Sequence, residues 1–381
     1  MTTSANTAKR FFRRAGITAV ATALLAGVIP GVAAADSGRE RPDLRAMVQE
    51  IAAFGFAGAQ LRVHDARGDW TGSAGVRELG SSAKPPTNGR FRIGSNTKAF
   101  VSTVVLQLVG EGKVGLDAPV AGYLPEFGLD RRITVRMLLQ HTSGIADYTA
   151  SIPLGGQEFL DNRFHTYRPE ELVRFGLALP PLFAPGTDWT YTNLNYVLAG
   201  LLIKKVTGRS YGDEIQRRIL EPLKLRDTEA PDTRPGISGP HAHGYYRYEE
   251  KPGQWKTVDI TRQNPSWASS AGDLISTTKD LDTFFSALLG GKLLPAPLLA
   301  EMRKPHPKGG YGLGLYVQEA SCGTVLKGMG GFHGYGTLMA GTPDGSRTYE
   351  LSMTYGDSAA DMGQAYYKAD GMLTDKVLCG K

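Results

Sequence analysis

The chain contains the stretch Phe91-Arg92-Ile93-Gly94-Ser95-Asn96-Thr97-Lys98, an extended segment that runs directly into an apolar helix. Ser95 and Lys98 are three residues apart, so on a helix they lie one turn apart and their side chains can reach the same point. A partly desolvated lysine in that position can take or relay the proton of the serine hydroxyl. The pattern therefore indicates an activated serine nucleophile that needs no catalytic histidine.

The Ser-x-x-Lys pattern alone is weak evidence, because it occurs three times in this chain. The copy at 81–84 runs into two prolines and does not start a helix. The copy at 276–279 precedes a helix and is better explained as a capping region, with Thr277 or Thr278 as the cap. Only Ser95 follows an extended segment and opens an apolar helix, whose N-terminus favours developing negative charge.

A second informative segment is Tyr191-Thr192-Asn193, which follows Ala184-Pro185-Gly186 and precedes another apolar helix. In isolation it suits an ordinary loop with a capping asparagine. Combined with Ser95, it supplies a second proton carrier and an amide that can hold a substrate.

The first 35 residues have the organisation of a secretory signal. A basic head precedes a short apolar run at 17–28, and Ala33-Ala34-Ala35 predicts cleavage after Ala35. Arg13-Arg14 leaves a twin-arginine type of signal open. No later apolar stretch is long enough for a membrane anchor, so we expect a secreted protein.

Charge argues against a nucleic-acid partner. The four charges of the predicted signal are all basic, so without it the net charge falls from +6 to +2. No basic run remains that would mark a nucleic-acid site. No internal repeat is visible, and we expect a monomer with one main core.

The two cysteines, Cys322 and Cys379, are predicted to form a disulfide, because an isolated pair in an exported chain usually bonds. Two buried thiols are the alternative. No histidine or aspartate cluster accompanies either cysteine, so neither a metal site nor a cofactor is expected.

Hydrophobic periodicity predicts an α+β fold. Predicted helices cover 44–54, 95–111, 135–140, 169–178, 195–206, 211–219, 279–289 and 358–377. Predicted strands cover 58–64, 69–76, 311–317, 324–328, 336–340 and 348–355. Strands at both ends of the chain suggest one antiparallel sheet formed by the N- and C-terminal segments and flanked by helices. We expect an α/β part at 36–115 and 266–381, with a mostly helical lobe inserted at 116–265.

Several motifs together resemble the penicillin-recognising serine hydrolases, with the β-lactamase/transpeptidase-like fold. The chain is most similar to secreted actinobacterial D-alanyl-D-alanine carboxypeptidases, which are relatives of class C β-lactamases. The resemblance covers the chain from about residue 40 to its end. It rests on residues 91–98, His141-Thr142-Ser143-Gly144, 191–196, Ser266-Trp267-Ala268, 276–289, 310–315 and Cys379-Gly380-Lys381.

The resemblance implies a role for each matching residue of the nucleophile set. Ser95 would attack the scissile carbonyl and form an acyl-enzyme. Lys98 and Tyr191 would share the general-base role, in an order that the sequence leaves open, and Tyr191 would then protonate the leaving amine. Asn193 would hold the amide of the substrate.

The resemblance also predicts the oxyanion hole and part of the cleft wall. The backbone N–H of Ser95 and one from the strand of the third motif would bind the oxyanion, and we assign the second donor to Phe332. Trp267 resembles a family residue that lines the cleft.

Two positions depart from the family pattern. The third motif, a His or Lys, any residue, then Gly, falls on Met329-Gly330-Gly331, and methionine can neither carry charge nor donate a hydrogen bond. His333 either compensates for this loss or is an ordinary loop histidine. The second departure is Tyr316, which stands where these carboxypeptidases carry an arginine for the terminal carboxylate of the substrate.

These observations lead to three functional hypotheses. The first is an exported serine hydrolase acting on D-amino-acid peptides, most simply a D-alanyl-D-alanine carboxypeptidase or transpeptidase on peptidoglycan stem peptides. The second is an esterase, D-aminopeptidase or β-lactamase on the same fold, and the departures point toward ester, amide or amidated peptide substrates. The third is a non-catalytic binder of peptidoglycan or β-lactams.

Overall fold

The computed structural model describes residues 41–381, so the predicted signal and its cleavage site lie outside the described residues. Helices occupy much of this part of the chain. They are α1 (Pro42–Ala53), α2 (Thr97–Gly110), α3 (Val135–Gln140), α4 (Gly156–Asn162), α5 (Pro169–Leu177), α6 (Leu194–Thr207), α7 (Tyr211–Ile215), α8 (Glu221–Leu223), α9 (Thr278–Leu289), α10 (Ala296–Met302) and α11 (Met362–Leu373).

The strands of the described chain are β1 (Phe56–Asp65), β2 (Gly68–Gly75), β3 (Phe91–Arg92), β4 (Tyr245–Lys251), β5 (Gln254–Asp259), β6 (Ile275–Ser276), β7 (Tyr316–Ala320), β8 (Gly323–Phe332), β9 (Tyr335–Gly341) and β10 (Thr348–Tyr355). Six of them form the central antiparallel sheet, in the order β2-β1-β10-β9-β8-β7. Pairing of β1 with β10 joins the N- and C-terminal segments, for example Leu61 with Leu351. The predicted α+β fold with one antiparallel sheet is therefore confirmed.

Helices cover both faces of this sheet. Successive residues of a strand point to opposite faces, and apolar residues at neighbouring positions therefore pack against helices on both sides. On β8, Val325 belongs to the apolar cluster that contains residues of α1 and α11. Its neighbour Leu326 belongs to the larger cluster that contains residues of α2 and α9. The sheet is thus buried on both faces, and the larger cluster holds the helices that carry the candidate site.

Helix α2 is buried on almost every side, which fixes the position of its N-terminus. Residues 97–106 are all buried. Phe100 stacks on Phe284 of α9 with ring centroids 3.6 Å apart, and α2 also packs against α6. Because both helices are held in the core, their N-termini form a rigid base for the residues there.

Two predicted elements need correction, and one hairpin was not predicted. The strand predicted at 311–317 is wrong: β7 begins only at Tyr316, because Gly310 and Gly314 adopt positive φ and bend the preceding segment. The last helix begins at Met362 rather than residue 358, and Asp361 caps it. The β4–β5 hairpin was not predicted, and it lies within 116–265, where mainly helices were expected.

Cys322 and Cys379 form the predicted disulfide, with their Cα atoms 5.1 Å apart. The bond ties the β7–β8 turn to the segment that follows α11. Within residues 41–381, no helix has the length and apolar character needed to cross a membrane.

Candidate active site

Ser95 lies in a 3₁₀ turn, Gly94–Asn96, between β3 and the start of α2. Gly94 has a φ of +52°, a conformation that glycine adopts at low cost. A Cβ on Gly94 would lie 2.5 Å from the carbonyl oxygen of Gly331. Glycine at this position therefore lets the serine turn approach the end of β8.

Lys98 is fully buried and uses all three ammonium donors. Its Nζ donates to Ser95 Oγ at 3.0 Å, to Asn193 Oδ1 at 2.9 Å and to the carbonyl oxygen of Ala271 at 2.7 Å. Burial lowers the pKa of Lys98 to about 7, and the carboxylate of Asp147 opposes that shift. A substantial fraction of the amine is therefore neutral near pH 7 and able to accept a proton.

Tyr191 reaches the same serine from the opposite part of the chain. Its hydroxyl donates to Ser95 Oγ at 2.8 Å, and Lys98 Nζ lies 4.8 Å from the centre of its ring. Burial raises the pKa of Tyr191 well above its ordinary value, although the hydrogen bond with Ser95 opposes the shift. The phenol thus keeps its proton at neutral pH and can deliver it to a leaving group.

Asn193 is held between the lysine and a carboxylate that the sequence analysis did not identify. Its Oδ1 accepts from Lys98, while its Nδ2 and its backbone N–H both donate to Asp147 Oδ2 at 2.9 Å. Asp147 follows the motif beginning at His141 by only a few residues, but nothing in that spacing predicts its contact. One hydrogen of Nδ2 remains for the predicted substrate contact.

His141 supports the tyrosine from behind. It ends α3 with a φ of +64°, and its ring centroid lies 4.3 Å from that of Tyr191. Its Nδ1 accepts from the backbone N–H of Thr192 at 3.3 Å. Burial, with the nearby Lys98, lowers the pKa of His141 well below its ordinary value, so it remains a neutral aromatic support.

The third motif brings glycine backbone, rather than a cation, toward the serine. Met329 packs with the apolar cluster that contains residues of α11. A Cβ on Gly330 would overlap the carbonyl oxygen of Ile93, so only glycine lets β8 lie this close. Met329-Gly330-Gly331 therefore contributes a close-packed strand end and no charge.

The N–H groups at this strand end point in different directions. Gly330 N donates to Tyr366 Oη at 3.1 Å, and that hydroxyl donates to the Thr337 carbonyl of β9 at 2.7 Å. Successive N–H groups of a strand point to opposite edges, so that of Gly331 points away from β9. Since Gly331 also lies against Gly94, its N–H is a candidate second oxyanion donor that the sequence analysis missed. By the same alternation the N–H of Phe332 shares the direction of that of Gly330, so the assignment to Phe332 stays a prediction.

His333 does not replace the missing cation. It lies in the β8–β9 turn, where its Nε2 is 3.0 Å from the carbonyl oxygen of Leu154 and its ring stacks on Phe159. Burial lowers the pKa of His333, with the Leu154 contact opposing. The predicted cleft residue Trp267 packs against Phe332 at 4.9 Å and His333 at 5.5 Å between ring centroids.

Tyr316 lies on the side of the site nearer Tyr191. Its ring meets Tyr311 edge-on at 4.7 Å, and Tyr311 meets Tyr191 at 6.2 Å. Tyr316, three other tyrosines, Met329 and glycine backbone line a cavity of about 260 Å³. None of the described residues that line this cavity carries a charge, so the arginine expected from the family pattern has no replacement among them.

Among the described residues there is no ligand set of the kind that metal ions need. Within residues 41–381, no group of three or more His, Cys, Asp or Glu side chains is arranged to hold a metal ion. The groups that meet at Ser95 are instead an amine, a phenol and backbone amides, a set suited to acyl transfer.

This site and fold together define the class of serine hydrolases that recognise penicillins, as the resemblance predicted. The family model described as Beta-lactamase matches residues 17–368, and the chain belongs to that family.

One solved structure, a D-stereospecific amidohydrolase from Streptomyces sp., is 37% identical, with a TM-score of 0.79 over 90% of this chain and 100% of that one. The D-amino acid amidase from Ochrobactrum anthropi SV3, complexed with L-phenylalanine, is 25% identical, with a TM-score of 0.75 over 88% of this chain and 97% of that one.

Among curated proteins, the putative penicillin-binding protein PbpX of Bacillus subtilis (strain 168) is 29% identical over 240 residues, which is 61% of this chain and 54% of that protein. The chain therefore spans about half the length of that curated relative.

Proposed function

We propose that the chain is a serine amidohydrolase that forms an acyl-enzyme at Ser95 on amides and peptides of D-amino acids. The observation that carries this proposal is the position of Ser95 Oγ, within 3.0 Å of both Lys98 Nζ and the Tyr191 hydroxyl. One nucleophile thus has both a proton acceptor and a proton donor within hydrogen-bonding reach.

In the proposed acylation, Lys98 is the first base. The Ser95 hydroxyl proton passes to the neutral amine as Oγ bonds to the substrate carbonyl carbon. Tyr191 then gives its proton to the leaving nitrogen as the carbon–nitrogen bond breaks, and it regains a proton from the Lys98 ammonium. This order follows from the two pKa directions, since the lysine titrates at about 7 and the tyrosine keeps its proton. After the amine has left, water attacks the acyl carbon of the acyl-enzyme, the bond to Ser95 Oγ breaks, and the acyl group is released.

The backbone amides would stabilise the tetrahedral oxyanion. The N–H of Ser95, at the start of α2, is one donor, and that of Gly331 or Phe332 is the other. A donor of this kind contributes roughly 3 kcal/mol in serine proteases.

The proposed preference is for uncharged leaving groups, such as a primary amide. The cavity beside Tyr316 offers hydroxyls, methionine and backbone but no cation for a terminal carboxylate. The similar Streptomyces structure is named a D-stereospecific amidohydrolase, which supports this choice. D-alanyl-D-alanine carboxypeptidase activity is the second candidate, which the motif resemblance favours. The name of the Bacillus subtilis relative speaks only of penicillin binding.

We also propose that the protein is exported as a monomer after cleavage at Ala35. The basic head and short apolar run of residues 1–35 support export. The Cys322–Cys379 disulfide suits an oxidising compartment. Peptidoglycan stem peptides and β-lactams would then be accessible ligands, and the N-terminal sequence of the secreted protein tests this point.

A matched pair of substrates tests the proposed activity. An acyl-D-Ala-D-Ala peptide and its C-terminal amide differ only in the charge of the leaving group, and D-phenylalanine amide with its L-enantiomer tests stereochemistry. We expect the amides to be hydrolysed at least as fast as the free acid, with D favoured over L. A large preference for the free acid would replace the proposal with the carboxypeptidase. Absence of turnover and of any Ser95 adduct would favour a passive binder.

A further inference from the structure

A second, larger cavity adjoins the end of β8 that lies next to Ser95. Its volume is about 590 Å³, within the usual range for ligand sites. Gly331, Phe332 and Trp267 line it on the side of the catalytic serine, and the β4–β5 hairpin lines it through residues that include Arg247 and Trp255. Neither Ser95 nor Tyr191 lines this cavity, so it suits a part of the substrate away from the reacting bond.

The position of Tyr191 indicates which part of the substrate this is. In the proposed reaction Tyr191 protonates the leaving nitrogen, and the aromatic contacts from Tyr191 run through Tyr311 to Tyr316 and the smaller cavity. The leaving group therefore belongs on the Tyr316 side. The larger cavity, beyond Phe332, then receives the acyl donor.

The hairpin that closes this cavity is anchored to the rest of the fold by three tyrosines. Leu79 N donates to Tyr245 Oη at 2.9 Å, and Gly156 N donates to Tyr246 Oη at 2.8 Å. The third, Tyr248, donates through its hydroxyl to Gln157 Oε1 at 2.6 Å. Arg247 lies between these anchored residues, so its backbone position at the cavity is well defined.

The guanidinium of Arg247 is positioned so that it can bind an anion. Its guanidinium carbon lies 4.0 Å from the centre of the Trp255 ring, a stack that fixes the plane of the group and leaves its N–H edge available. Trp255 is 51% exposed, so its ring is accessible to a ligand that enters the cavity. Of the described residues that line the cavity, Arg247 alone carries a formal charge.

The acids of the hairpin are all engaged elsewhere. Glu249 accepts from the backbone N–H of Gly253 at 2.6 Å, and Glu250 pairs with Lys256. Asp259 Oδ2 lies 2.6 Å from His243 Nδ1. Among residues 41–381, no carboxylate forms an ion pair with Arg247, so its charge is uncompensated at the cavity.

We propose that Arg247 and Trp255 form a subsite for a carboxylate on the acyl donor, located on the N-terminal side of the D-residue that Ser95 attacks. The preferred substrates are then N-acylated D-amino-acid amides or peptides that carry an acidic group in this segment. A planar guanidinium can bind a carboxylate through two parallel hydrogen bonds, which a neutral group of the same shape cannot match. This inference rests on the proposed function, since it assigns the donor side of the same site.

Two isosteric substrates test the subsite. N-succinyl-D-phenylalanine amide carries the carboxylate, and its succinamoyl analogue carries a neutral amide in the same place. We expect the wild-type protein to favour the acidic substrate by about tenfold in kcat/KM for ammonia release, the low end for charge-assisted hydrogen bonds, because the site is partly exposed. Arg247→Gln should bring the acidic-to-neutral ratio close to one, and Trp255→Leu should lower it partway.

Arg262→Gln is the matched control. Arg262 is an exposed residue that follows the hairpin and does not line the cavity. The substitution removes the same charge from the same region, so it should leave the acidic-to-neutral ratio at the wild-type value. A wild-type ratio near one, a ratio that survives Arg247→Gln, or an equal loss in Arg262→Gln would each overturn the proposal.

Binding to the Ser95→Ala protein separates this inference from the proposed activity. Calorimetry with the two intact amides gives a ratio of Kd values that does not depend on turnover. If the wild type hydrolyses neither amide, the proposed function fails, while a tenfold Kd preference that Arg247→Gln abolishes still supports the subsite. Equal Kd values for the two ligands would reject it.

Discussion

At the scale of single residues, the site depends on a lysine that the fold keeps out of water. Lys98 has lost its hydration and gained only hydrogen bonds to neutral oxygens, with the Asp147 charge further away behind Asn193. Desolvation disfavours an ammonium more strongly than these neutral partners stabilise it, which explains a pKa of about 7. The base strength of this site is thus a property of its burial.

The pH dependence of kcat/KM follows from that burial. The reacting base must be deprotonated, so activity should rise with pH and level off above an apparent pKa of about 7. No fall is expected up to pH 9, because the pKa of Tyr191 lies well above its ordinary value. A pH–rate profile on a neutral amide checks this. A profile that is flat from pH 5 to 9, or that declines over that range, would contradict Lys98 as the base.

Asp147 is predicted to be a positioning residue that acts through Asn193. In Asp147→Asn the carboxylate no longer raises the pKa of Lys98, so the rising limb of the profile should move to lower pH. The plateau should fall by about tenfold or more, because Asn193 loses a charge-assisted partner. Asp161→Asn, at an exposed helix position, is the control. If the rising limb of the pH–rate profile of Asp147→Asn is unchanged and only its melting temperature falls, the role of Asp147 is merely structural.

At the scale of elements, the close approach of β8 to the serine turn depends on glycine. Gly330→Ala should lower the free energy of unfolding by about 1–3 kcal/mol, because the new methyl group overlaps the Ile93 carbonyl. It should also reduce kcat/KM by shifting the oxyanion donors. Urea unfolding and steady-state kinetics measure both effects.

The matched control for that substitution is Gly371→Ala. Gly371 lies in α11, where an added Cβ meets nothing within 4 Å. Alanine in a helix should leave activity unchanged and stabilise the fold by up to about 1 kcal/mol. Equal behaviour of the two variants would contradict the role of close packing at Gly330.

The elements that could be predicted from sequence are those with a local signal. The β1–β2 hairpin and the helix after Ser95 follow from alternation and from a continuous apolar run. The β4–β5 hairpin escaped prediction because its exposed faces are charged and aromatic, and its anchors lie far away in sequence, as with Tyr245 and Leu79. The false strand at 311–317 follows Gly310 and contains Gly314, and the positive φ of these two glycines has no local sequence signature.

The candidate site also contains some residues that the sequence predicted and others that only the structure identified. The motifs predicted Ser95, Lys98, Tyr191 and Asn193, and in the fold each of them hydrogen-bonds to at least one of the others. Asp147 and the Ala271 carbonyl were missed, because each becomes a partner only through tertiary packing.

At the scale of the whole molecule, the disulfide closes a loop of 57 residues that contains three strands of the sheet and α11. In the chain-entropy model, such a loop stabilises the fold by about 4 kcal/mol. Cys322→Ser combined with Cys379→Ser should therefore lower the free energy of unfolding by about that amount and leave kcat unchanged. Denaturant unfolding without reductant provides the comparison. A loss below about 1 kcal/mol would contradict this contribution.

The central claim is that Ser95 carries the acyl group during turnover, and the mass of the quenched protein tests it most directly. After rapid acid quench with an N-acylated D-phenylalanine ester, the wild-type protein should gain the mass of the acyl group, on the peptide that contains Ser95. Ser95→Ala should show no adduct and no turnover. Turnover by Ser95→Ala, or an adduct on another residue of the wild-type protein, would contradict the account.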